Sequence, residues 1–160
     1  MGKGDPYHWP DLLDSVTRGG WVDWWPYGGG VESLGLGWGL TSWQPGVACG
    51  EQYVDSSRHH SMGAVFGGVL SAMADLATTW GMFTVLDDGE VFITSDLRVS
   101  YFRPMVEGTI SWESQVVHRG RRNCYVEAKF TDERDKLIYQ ASATEIIVPL
   151  PAEFIQTKEE

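Results

Sequence analysis

Cysteine is scarce in this 160-residue chain, and so is positive charge. The two cysteines, Cys49 and Cys124, share no metal-like spacing and fall in strand-like patterns. That excludes a disulfide framework and points to free thiols, with no metal or redox centre expected. Lys and Arg total 12 against 22 Asp and Glu, a formal net charge of -10. Such a field repels phosphates at long range, so neither a nucleic acid nor an anionic membrane surface is an expected partner. An anionic ligand then has to meet a local basic patch. The N-terminus lacks a basic start leading into an apolar run and a small-residue cleavage site, so no secretory signal is expected and a cytoplasmic location is the default. No segment repeats.

What the chain does have is apolar and aromatic sequence enough for one packed core. Its longest apolar stretch, Val65 to Leu86, approaches membrane-spanning length. Asp75 lies near its middle, Ser71, Thr78, Thr79 and glycines dilute it, and its ends lack basic anchors. A helix over Gly67 to Leu86, buried in a globular core and closed by Asp87-Asp88-Gly89, is the better account.

Residues 1–30 form a Trp-rich N-terminal extension, with Trp9, Trp21, Trp24 and Trp25, a possible short helix over Asp11 to Thr17, and Gly28 to Gly30 as hinge or linker. Two readings of it stay open: indoles packed onto the main domain or a neighbouring subunit, or a flap over a ligand pocket. Residues 31–150 make the main domain and 151–160 a C-terminal tail. Leu34 to Trp43 and Val47 to Val54, around Gln44-Pro45-Gly46, read as a hairpin. After the helix the period shifts to two. Val91 to Phe102, Thr109 to His118, Cys124 to Phe130 and Leu137 to Val148 read as an antiparallel meander of four strands. A helix apolar on nearly every face must be covered nearly all round, which a curled sheet and a second copy of the chain would do.

Two features invite chemistry. A carboxylate at Asp75, among Leu70, Met73, Ala74, Leu76, Ala77 and Trp80, costs free energy to ionise when buried, which suits a poised general base or nucleophile. Equally, Asp75 can mark the one wet or interface-facing stripe of the helix. Gly67-Gly68 opens the helix eight residues earlier, where free N–H groups and the positive dipole end can polarise a carbonyl; such a pair is also an ordinary turn. Arg98, Arg103, Arg119, Arg121 and Arg122 concentrate the positive charge after the helix, as a phosphate dock or as a solvated turn. His118 reads as a strand histidine.

Three segments in this order, HSMGAVFGGVLSAMAD over 60–75, TSDLRVSYFRP over 94–104 and VHRGR over 117–121, resemble the acyl-CoA thioesterases of the phenylacetate-pathway (PaaI-like) type. The resemblance covers residues 34 to 148. It implies an α+β hotdog fold, a curved antiparallel β-sheet wrapped around one long central α-helix, in homodimers or homotetramers with the site at the subunit interface. It implies catalytic Asp75 as general base or nucleophile, the Gly67 amide polarising the thioester carbonyl, Thr94 orienting water or Asp75, and His60 supporting the site. Phe66, which replaces the histidine of the family's His-Gly-Gly, would line the pocket with Gly68. Arg119, Gly120 and Arg121 would bind the substrate, an acyl or aroyl thioester of coenzyme A. No separate cofactor is implied, coenzyme A being part of the substrate. The alternative is a non-catalytic acyl-CoA binding or sensing protein on the same scaffold; a hydratase ranks lower, since no aspartate–histidine pair for proton addition is evident.

Overall fold

The computed structural model describes residues 8–19 and 35–151. Its elements are α1 (Trp9–Thr17), β1 (Leu40–Gln44), β2 (Val47–Val54), a 3-10 turn (Ser56–Arg58), α2 (Gly67–Phe83), β3 (Glu90–Tyr101), β4 (Gly108–Arg119), β5 (Asn123–Thr131) and β6 (Leu137–Pro149). The six strands form one antiparallel sheet in the order β1-β2-β4-β5-β6-β3, and α2 packs across it against β2, β4, β5, β6 and β3. None of the described helices is long and apolar enough to cross a membrane.

Local chemistry explains the boundaries. β1 begins at Leu40 rather than Leu34 because Gly35, Gly37 and Gly39 take φ of 60°, 65° and 69°, a left-handed backbone that no strand holds. α2 stops at Phe83, three residues short of Leu86. The Thr84 hydroxyl donates to Gly81 O and accepts the Gly46 amide, while the Thr84 and Val85 amides make tight bonds to Gly81 O and Met82 O. In the middle, Met73, Ala74, Ala77 and Met82 are fully buried against inward residues of the sheet such as Val126, Phe130 and Tyr139. Phe130 and Tyr139 stack at 4.0 Å between ring centroids.

One expectation needs correction. The last four strands are not a simple meander: β4, β5 and β6 are neighbours in sequence order, but β3 pairs with β6 at the far edge of the sheet. The reason lies in the connection after Tyr101. The amides of Phe102 and Arg103 both donate to Ile138 O, and the Arg103 guanidinium donates to Leu137 O at 2.7 Å, so the chain crosses the start of β6. It then meets the entry to α2, where Val65 N donates to Met105 O at 2.7 Å.

The first helix shares the core. Trp9, Leu12, Leu13 and Val16 are buried, the Trp9 ring lies 4.9 Å from Phe83, and the Trp43 indole donates to Asp14 Oδ1 at 2.9 Å. Trp21, Trp24, Trp25 and the run Gly28 to Gly30 lie outside the described residues, as do residues 152–160.

Candidate active site

The two ends of the site depend on one helix. α2 leaves a partly open stripe through Gly68, Ser71, Ala72, Asp75 and Thr79, spaced at three and four residues, while its other faces are buried. Asp75 belongs to this stripe. Its carboxylate is exposed in the chain, not enclosed among the leucines and methionines that flank it in sequence, because those neighbours point to the other sides of the helix. The Thr94 hydroxyl, on edge strand β3, donates to Asp75 Oδ1 at 3.3 Å. Thr94 therefore stands where it can fix the direction of that carboxylate.

At the helix start, Phe66 is extended and its carbonyl accepts the amides of Val69 and Leu70. The Gly67 and Gly68 amides donate to no acceptor among the described residues, as the first turn of a helix dictates. The Phe66 ring, 57% exposed, lies over Gly68 so closely that a Cβ there would meet Phe66 Cε1 at 2.6 Å. Tyr101, at the end of β3, braces the same turn: its hydroxyl donates to Gly67 O at 2.8 Å and pairs with Ser71 Oγ at 2.5 Å.

His60 does not reach Asp75. Its Nδ1 accepts the Met62 amide at 3.0 Å, and its backbone bonds to Ala64 and Gly63, so it shapes the loop before the helix. With Nδ1 accepting, the neutral ring carries its proton on Nε2. The neighbouring His59 Nε2 lies 2.6 Å from Val106 O.

The basic turn stands at the other end of α2 from Gly67. Arg119 is half-buried and paired with Glu90, with further bonds to Val85 O and Gly120 O and with Asp87 at 3.7 Å. It locks β4 to the segment after the helix. Gly120 donates to Asn123 O at 2.8 Å and closes the turn. Arg121 and Arg122 are exposed and pair with no described carboxylate. Of the aromatics near the helix, Trp80 and Phe83 are buried in a ring network with Trp38, Trp9 and Phe92, and Phe66 faces outward.

Sequence reasoning missed Glu145. It stands on β6 directly opposite Thr94 and is 0% exposed; among the described residues neither carboxyl oxygen has a partner in hydrogen-bond geometry, the neighbouring Thr94 hydroxyl donating to Asp75 instead. Burial pushes its carboxyl up to about 7; the Thr94 hydroxyl lowers it somewhat and the Asp75 charge raises it. The signal was available, since Tyr139, Ala141, Ala143, Glu145 and Ile147 share the inward register of one strand. Among the described residues no group of three or more His, Cys, Asp or Glu is arranged to hold a metal.

Residues 62–139 match the model of the thioesterase superfamily. The chain is 25% identical over 101 residues to the proofreading thioesterase EntH of Klebsiella pneumoniae, covering 63% of this chain and 74% of that protein. It is 23% identical over 107 residues to 1,4-dihydroxy-2-naphthoyl-CoA hydrolase of Listeria monocytogenes, covering 67% and 85%. A crystal structure of a phenylacetic acid degradation-related protein from Ralstonia eutropha JMP134 superposes with a TM-score of 0.70 at 25% identity, over 84% of this chain and 98% of that one.

Proposed function

We propose that the chain, whose residues 62–139 match the thioesterase superfamily and which has the hotdog fold of such proteins, hydrolyses an acyl or aroyl thioester of coenzyme A at a site built from Asp75 and Gly67. The observation that carries this reading is the pairing on one helix of an exposed carboxylate, held by Thr94, with an amide left without an acceptor. Asp75 takes a proton from water, and the oxygen of that water adds to the thioester carbonyl carbon. The Gly67 N–H, at the positive end of the helix dipole, receives the negative charge that develops on the carbonyl oxygen. The carbon–sulfur bond then breaks, the thiolate takes up the proton, and acid and coenzyme A leave.

Eight residues of helix separate Gly67 from Asp75 by about 12 Å, too far for both to act on one carbonyl. The reading therefore requires a second copy, the Gly67 of one meeting the Asp75 of the other. Edge strand β3 and the helix start offer the apolar surface for it: Ile93, Tyr101, Phe102 and Phe66 are each about half or more exposed. Arg121 and Arg122 are the guanidinium groups available to coenzyme A phosphates. Phe66 lines the acyl pocket beside Gly68, and the hydrolase from Listeria, whose name gives an aroyl-CoA substrate, is consistent with an aromatic acyl group.

The test is thiol release from a panel of short, long and aromatic acyl-CoAs. At least one is expected to turn over, and Asp75→Asn to slow it about 100-fold or more, the scale of removing a base or nucleophile. Equal rates in the two proteins would defeat the assignment. Binding without thiol release across the panel would favour a non-catalytic acyl-CoA module.

A further inference from the structure

Glu145 is a carboxyl that packing does not explain. It occupies an inward position on β6, where Ala143 and Ile147 flank it in the same register, and among the described residues neither oxygen has a hydrogen-bond partner, the adjacent Thr94 hydroxyl being engaged by Asp75. An ionised carboxylate in such a place is costly, while a protonated one is neutral and carries a donor of its own. Its position is specific: β3 brings Thr94 directly opposite it, and the Thr94 hydroxyl donates to Asp75.

We propose that Glu145 is a positioning residue behind Asp75, a buried carboxyl that stays protonated so that the pair holds a single negative charge, on Asp75. The proposal rests on the hydrolytic reading above. Glu145 is fully enclosed and so lies behind Asp75 rather than on the open face of the site. It acts through charge: as Asp75 takes the proton, its negative charge passes to the carbonyl oxygen on the far side from Glu145, so an ionised Glu145 would disfavour the resting enzyme more than the transition state and turnover would rise.

The groups facing Glu145 from each neighbouring element support a neutral state. α2 contributes Asp75, whose charge disfavours ionisation of Glu145, and β3 contributes the Thr94 hydroxyl. β5 contributes Cys124, opposite Glu145 in register and buried, whose thiol is pushed up to about 11 and is neutral. Beyond it, Arg119 of β4 pairs with Cys124 in register but its guanidinium is held by Glu90, not by Glu145.

Two readouts test this. Carboxyl carbon shifts of Glu-labelled protein, followed through pH in wild type and Asp75→Asn, are expected to show one glutamate titrating near neutrality, assigned by its loss in Glu145→Gln. Its midpoint should fall in Asp75→Asn. The pH profile of kcat, each protein normalised to its own maximum, should show an alkaline rise of about tenfold in wild type that Glu145→Gln lacks, with KM unchanged. A Glu145 midpoint in the ordinary carboxyl range, or one that ignores Asp75→Asn, overturns the proposal. So does an identical kcat profile in Glu145→Gln, the result expected of a merely structural carboxyl. A wild type inert toward every acyl-CoA defeats the hydrolytic reading instead, and the carbon titration still decides whether the two carboxyls sense each other.

Discussion

At the scale of the residue, Glu145 and Asp75 show that burial and not sequence neighbourhood decides what a carboxylate costs. Asp75 is surrounded by apolar letters yet lies on an open stripe; Glu145 lies in an ordinary strand pattern yet is fully enclosed. Folding raises the Glu145 carboxyl from 4.5 to about 7, so the folded chain binds its proton more tightly than the unfolded chain does. The resulting stabilisation is present in full below the unfolded value and is lost as pH rises through the folded one, a change of about 3 kcal/mol. Glu145→Gln keeps the neutral shape and removes the titration. Urea unfolding should therefore find the variant gaining on wild type by about that amount between pH 5 and pH 8. A stability difference that does not change with pH would contradict the assignment of a buried, proton-holding carboxyl.

At the scale of the element, the start of α2 is both a structural joint and the proposed oxyanion donor. Phe66 is already extended, as a residue before proline must be, and Gly67 is the first helical residue, where proline is tolerated. Gly67→Pro thus removes one N–H with little disturbance, and Gly67→Ala is its control, since a Cβ there meets the Tyr101 ring only at an ordinary 3.6 Å. Gly67→Pro should lower kcat by about 100-fold, the cost of one oxyanion donor, while Gly67→Ala keeps most of it. Equal losses would point to crowding at Tyr101 rather than to the amide. The helix was legible in the sequence because its long apolar run and the turn signal after it report local structure, whereas Thr94 came only from the family resemblance and its contact with Asp75 is made by the fold. The strand order was not legible, because alternation reveals which face a residue takes and says nothing of its neighbour; two bonds to Ile138 O carry β3 to the far edge. For the same reason Arg119, legible as charge, was not legible as the partner of Glu90, which is brought to it by the fold.

At the scale of the whole molecule, the proposed reaction needs two chains, because α2 sets Gly67 and Asp75 about 12 Å apart. Gly67 and the basic turn occupy opposite ends of a 17-residue helix, with Asp75 between them. Two copies related by symmetry would give two equivalent sites, each with Gly67 from one chain and Asp75 from the other. The most direct measurement is thiol release by a mixture of Asp75→Asn and Gly67→Pro chains, unfolded and refolded together. Each variant alone should be about 100-fold slower than wild type, and the mixture should recover about a quarter of the wild-type rate, since half the dimers are mixed and each of those has one intact site. A mixture no faster than its parents, beside an active wild type, would contradict a shared site of Asp75 and Gly67.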